Sequence, residues 1–167
     1  MPDHSALDIL KQALLLERRG CAFYQQVAAQ TQSAAVREFF ETMAEEELRH
    51  IQILSTQFKT YVETREFKAL DSETTDSQPL AGQILSEELK LQIAAAGFEA
   101  AAISAAILME ERAVKLYGER AQAAADDHEQ ILYRWLADWE RGHLAFLKDL
   151  DQEVRERIWN DNRFWPF

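Results

Sequence analysis

The chain is poor in the residues that break helices, cross-link chains or bind polyanions. Five glycines and three prolines among 167 residues leave few points at which a helix must end. The single cysteine, Cys21, excludes an internal disulfide and any Cys-based zinc or rubredoxin-type iron site. Basic residues are in deficit. Eighteen Lys and Arg against twenty-nine Asp and Glu give a net charge of −11, a surface that repels nucleic acid and anionic membranes, because both are bound through clustered Lys and Arg. No apolar run reaches the length of about 18 residues that a membrane span needs; the nearest, Leu91 to Met109, is interrupted by Glu99. The opening residues MPDHSALDIL lack the basic start and long apolar stretch of a signal peptide. The expectation is a cytoplasmic protein with neither nucleic acid nor membrane as partner.

What the chain does have is helix-forming residues. It is 47% apolar and rich in Ala, Leu, Glu and Gln, and its length suits one domain with a proper core. Apolar residues at i, i+3, i+4 and i+7 predict four long helices, at about 5–30, 33–60, 98–124 and 127–158. Ser33, after the polar turn Thr31-Gln32-Ser33, is a plausible N-cap, and Asp126 with Glu129 has capping-box spacing. The crossover, about 61–97, has a polar loop at Asp71 to Pro79 and then a short helical piece near 80–93. The fold class is therefore all-α: a four-helix bundle of two helical hairpins joined by one long crossover. So long a connection is expected where the chain must travel the length of the bundle.

Four residues recur with their spacing intact. Glu17, Tyr24, Glu47 and His50 reappear as Glu110, Tyr117, Glu140 and His143, each displaced by 93 positions, the mark of a duplicated supersecondary unit. Each Glu lies in the apolar stripe of its helix, where a carboxylate is rare without a partner. Glu17 and Glu47 stand 15 residues either side of Gln32, and Glu110 and Glu140 stand 15 either side of Ala125. At about 1.5 Å of rise per residue, each pair meets at one level roughly 22 Å from its turn. Each Glu-x-x-His pair presents both side chains to one face. Four buried carboxylates would repel and cost several kcal/mol each to desolvate, and two divalent cations would cancel their charge. Oxygen-rich ligation with imidazole suits iron or manganese, and one Glu from each of two helices with a Glu-x-x-His from each of the others is the ligand pattern of di-iron bundles.

The segments Leu16-Glu17-x-x-Gly20-x-x-Phe23-Tyr24 and Met109-Glu110-x-x-Ala113-x-x-Leu116-Tyr117, with Glu46-Glu47-x-x-His50 and Glu140-x-x-His143, resemble the ferritin-like superfamily and most closely the erythrin domain of rubrerythrins. The resemblance covers the chain apart from the crossover and the C-terminal tail. It implies a non-haem di-iron centre (Fe/Fe, with Mn or mixed Fe/Mn as alternatives) that reduces hydrogen peroxide or dioxygen. Two features depart from the family. Ala113 stands where rubrerythrins commonly carry an additional Glu, which removes the basis for redox-linked ligand switching of that kind. There is also no Cys-rich rubredoxin module, so electrons would come from a separate donor such as a rubredoxin.

The alternatives are a di-iron hydroxylase, which needs an organic substrate pocket, and a ferritin-like metal-binding scaffold without turnover. Tyr24 and Tyr117 are expected either to donate hydrogen bonds to ligating carboxylates or simply to pack in the core. Cys21 is expected to be a small buried hydrophobe. Glu45, Glu46 and Glu111 are expected to be solvated, and His4 and His128 exposed. The aromatic tail from Trp159 to Phe167 is expected to pack on its own chain, and the protein to form a homodimer.

Overall fold

A computed structural model of the chain describes residues 5–84, 86–93 and 97–161. The elements in chain order are α1 (Ala6–Gln30), α2 (Ala34–Thr64), α3 (Ser72–Asp76), α4 (Ala81–Ile84), α5 (Glu87–Leu91), α6 (Phe98–Ala123) and α7 (Asp127–Asn160). No strand occurs among the described residues. α1 packs along α2 and α6 along α7, and α1 also meets α6. This is an all-α, ferritin-like bundle.

Helix starts follow local chemistry. The Ser5, Ser33 and Asp126 side chains accept from the backbone N–H groups of Asp8, Val36 and Glu129, satisfying donors that the first turn leaves unpaired. Only half of the expected capping box forms. The Glu129 carboxyl turns instead to Arg120 Nε at 2.6 Å and ties α7 to the end of α6. α2 runs to Thr64, four residues past the expected end, and stops where Arg65 takes a left-handed conformation (φ 62°).

The crossover is tied down along its length. Gln57 bonds to both backbone groups of Lys68, at 2.8 and 3.0 Å. The expected polar loop contains one short helix, α3, capped by Asp71, and the expected helical piece is divided into α4 and α5. α4 packs on α2 and α7, and α5 on α7. Gly82 lies so close to the Phe146 ring that a Cβ there would overlap it. Lys90 is set among Glu87, Asp149 and Glu153, and Arg157 donates to the Lys90, Leu91 and Ile93 carbonyls. The crossover therefore covers the α2–α7 side of the bundle.

The interior holds two apolar clusters. One, around Phe39, Phe40, Met43, Ile103 and Leu150, fills the end near the α1–α2 turn. The other, around Leu10, Leu54, Leu132 and Leu136, fills the opposite end. A polar layer lies between them. Trp159 is 73% exposed, while the rest of the tail from residue 162, on which the tail expectation mostly falls, and His4 lie outside the described residues.

Candidate metal centre

The layer is built from one Glu of α1 (Glu17), one of α6 (Glu110), and a Glu-x-x-His from each of α2 (Glu47, His50) and α7 (Glu140, His143). All six side chains are buried. Their ligand atoms fall into two groups, Glu17, Glu47, His50 and Glu140 in one, and Glu47, Glu110, Glu140 and His143 in the other. Within each group the ligand atoms lie within 4.8 Å of one another. Glu47 and Glu140 belong to both, so the layer can hold two metal ions that share two carboxylates.

The imidazoles present Nδ1 to the carboxyls. His50 Nδ1 is 3.2 Å from Glu17 and 2.8 Å from Glu140. His143 Nδ1 is 3.0 Å from Glu140, 3.2 Å from Glu47 and 3.6 Å from Glu110. The tyrosines cross between halves: Tyr24 donates to Glu110 Oε1 and Tyr117 to Glu17 Oε1. Both phenols are buried, and burial with the adjacent carboxylates raises their pKa well above the ordinary value.

The electrostatics of this layer are those of a cation site holding protons. Burial, followed by the charges of Glu140, Glu17 and Glu110, holds the Glu47 carboxyl well above the usual carboxylate range. Burial and Glu140 push Glu110 up to about 8. Burial alone would lower the histidines, but the carboxylates outweigh it: Glu140 and Glu17 raise His50 to about 9, and Glu140 with hydrogen bonds to Glu110, Glu140 and Glu46 raises His143 well above its ordinary value. Glu140, buried between both imidazoles, moves the other way because their positive charges overcome its desolvation. The fit to metal is also visible in the polar atoms left over. Glu47 Oε1 and Glu140 Oε1 approach ring nitrogens without hydrogen-bonding geometry, and His50 Nε2 has no partner. Carboxylate oxygens and imidazole nitrogens gathered in this way can bind metal ions.

One residue is the reverse of its expectation. Glu46 is only 6% exposed. Its Oε2 lies 2.6 Å from His143 Nε2, and its Oε1 accepts from Leu80 N of the crossover. It thus backs a candidate ligand on the other hairpin, as outer carboxylates commonly do behind metal-binding histidines. A ring nitrogen that carries the proton given to Glu46 cannot also accept from Trp139 Nε1, 3.2 Å away. Only the residue's place one before Glu47 hinted at this role, and its repeat counterpart is Trp139, so the duplication gave no support. Glu45, Glu111 and His128 are exposed, as expected. Cys21 is buried with Sγ 3.5 Å from the Ala44 carbonyl, belongs to neither ligand group, and has its pKa raised by burial and by Glu17.

A cavity of about 330 Å³ reaches the layer between α1 and α6, lined in part by Arg19, Gly20, Glu47, Glu110, Arg112 and Ala113. Among the described residues no helix is long and apolar enough to cross a membrane. The family model described as Rubrerythrin matches residues 8–151. No match was found among curated proteins or among solved structures. With the match extending over all four long helices and the buried Glu/His layer, the chain belongs to the rubrerythrin family.

Proposed function

We propose that this protein is a non-haem di-iron oxidoreductase that reduces hydrogen peroxide or dioxygen with electrons from a separate donor such as a rubredoxin. The observation that carries the reading is the pair of buried four-residue groups sharing Glu47 and Glu140. Glu17 and His50 complete one iron position, Glu110 and His143 the other. The bound irons supply the redox chemistry. The chain supplies orientation and exclusion of water. Tyr24 and Tyr117, kept protonated by burial, donate to Glu110 and Glu17 and fix which oxygen of each carboxyl faces the centre. The apolar clusters shield the layer at both ends of the bundle and leave the cavity between α1 and α6 as its approach. Reducing one peroxide to two waters consumes two electrons and two protons; the phenols, their own pKa raised by burial, serve as fixed hydrogen-bond donors and not as that proton supply.

Anaerobic loading with ferrous iron tests the reading. About two irons per chain should bind, in keeping with the ligand pattern of such bundles, and added peroxide should oxidise them rapidly. Failure to take up iron at all would overturn it. A second reading, oxidation of an organic molecule by the same centre as in di-iron hydroxylases, is favoured by the cavity that reaches Glu47 and Glu110. Peroxide turnover with a reductant but no organic substrate separates the two.

A further inference from the structure

The cavity between α1 and α6 is far larger than peroxide or dioxygen requires. Its volume is about 330 Å³, against roughly 30 Å³ for a water molecule in the liquid. Cavities that take organic ligands begin at about 300 Å³. Glu47 and Glu110, 4% and 3% exposed, form its inner end, and Leu16 and Met109 are among its walls. Arg19 and Arg112, both exposed, line its outer part.

This cavity obeys the 93-residue repeat. Leu16 matches Met109, Arg19 matches Arg112, and Gly20 matches Ala113. The small pair leaves the space open. A Cβ on Gly20 would come within 3.2 Å of Glu47 Oε2, and Ala113 offers only a methyl group. The crossover covers the opposite, α2–α7 side, and among the described residues the cavity leaves the α1–α6 side open for a molecule to approach the carboxyl layer. Neither Arg19 nor Arg112 forms an ion pair with the described residues. Two guanidiniums at one mouth, in a chain of net charge −11, select an anion with the fork geometry of a carboxylate.

We propose that this cavity binds a small amphipathic carboxylic acid, its carboxylate on Arg19 and Arg112 and its apolar body between Leu16 and Met109, ending against Glu47 and Glu110. The inference rests on the di-metal reading for the fate of the occupant and not for its binding.

Saturation-transfer NMR with octanoate and octanol, on the full chain both metal-free and zinc-loaded, tests it. Octanoate should bind at least about fivefold more tightly than octanol. The double variant Arg19→Gln/Arg112→Gln, confined to the surface, should remove that preference while leaving the helical circular dichroism unchanged. Ala113→Leu, which fills the cavity, should abolish binding of both. Absence of octanoate binding in every state, equal binding of octanol by the unmodified chain, or indifference to the arginine pair would overturn the proposal. Iron uptake and peroxide consumption on the same preparations report the metal reading separately. A chain that takes up two irons and consumes peroxide but ignores octanoate sinks only the cavity proposal. One that binds octanoate and takes up no metal sinks only the other.

Discussion

Replacing Glu46 by Ala removes two interactions at once. The Oε2 contact to His143 Nε2, at 2.6 Å, has a donor held protonated by its carboxylate neighbours, and hydrogen bonds to charged groups contribute about 1.5–3 kcal/mol. The Oε1 atom accepts from Leu80 N, which anchors the crossover just before α4; leaving such a partly buried N–H without an acceptor costs about 1–3 kcal/mol. The two terms share one side chain and do not simply add, so the loss is on the order of 2–5 kcal/mol. In a chain of this size each kcal/mol lowers the thermal midpoint by about 2–4 °C, so Glu46→Ala should melt roughly 5–20 °C lower. Metal affinity should fall about 10–100-fold, the usual cost of removing a carboxylate behind a ligating histidine. Glu46→Gln has one carbonyl oxygen where the carboxyl has two, so it can accept from His143 or from Leu80 but not from both, and should recover only part of the loss. Differential scanning calorimetry and competition with a chromophoric chelator measure both effects. If Glu46→Ala melts and binds metal like the unmodified chain, or if Gln restores both properties in full, the reasoning fails.

Tyr24→Phe and Tyr117→Phe each strip a buried carboxyl of its hydroxyl donor; each should cost about 1–3 kcal/mol of stability, read by chemical denaturation, and no loss in either would contradict the bonding described. Gly82→Ala must displace the Phe146 ring, an overpacking that costs about 1–3 kcal/mol; limited proteolysis should show the crossover loosened before the long helices, and an unchanged pattern would argue against the fit. In the metal-free protein, His50 is raised to about 9 and Glu110 to about 8. Both groups bind protons more tightly folded than unfolded, so their contribution is complete below their ordinary values and is lost as pH rises through about 8 and then about 9. The midpoint of the metal-free chain should therefore decline over that window. Saturating metal displaces the same protons and should flatten the decline; a midpoint that rises with pH would refute the assignment.

The six-residue layer was legible because it depends only on constants of the α-helix. A fixed rise brings residues equally distant from a turn to one height, and a fixed twist puts Glu47 and His50 on one face. The tyrosine pairing was legible only as an option, because which carboxyl each phenol reaches depends on how the hairpins pack: Tyr24 crosses to Glu110 and Tyr117 to Glu17. Glu46 was misread for a related reason. One residue before Glu47 it is rotated by about 100° from the apolar stripe, toward what looks like solvent if the four long helices are taken alone. The crossover supplies the missing wall, with Leu80 N descending onto Glu46 and Gly82 admitting Phe146. That segment has no counterpart in the repeat, so neither periodicity nor duplication could place it. The cavity was missed for a different reason: its residues do repeat, but Ala113 registered only as the loss of a ligand, whereas beside Gly20 it is also an opening.

The duplication therefore holds on the α1–α6 side, at the tyrosines and along the cavity, and ends behind the histidines. Position 46 is Glu and its repeat counterpart, position 139, is Trp. His143 has a carboxyl on Nε2, while His50 Nε2 has no partner among the described residues and its ring packs T-shaped against Trp135 and Trp139, centroids 5.4 and 5.3 Å apart. A carboxyl behind an imidazole makes it a stronger ligand, so two metal positions with the same donor atoms should differ in affinity, the one at His143 being the tighter. Titration of the metal-free chain with Mn(II), followed by calorimetry, should resolve two unequal steps, separated by about 10–100-fold if the outer carboxyl sets the difference. Glu46→Ala should weaken the tighter step alone and bring the two together. Equal steps in the unmodified chain, or a variant that weakens only the looser one, would show that the carboxyl does not rank the two positions.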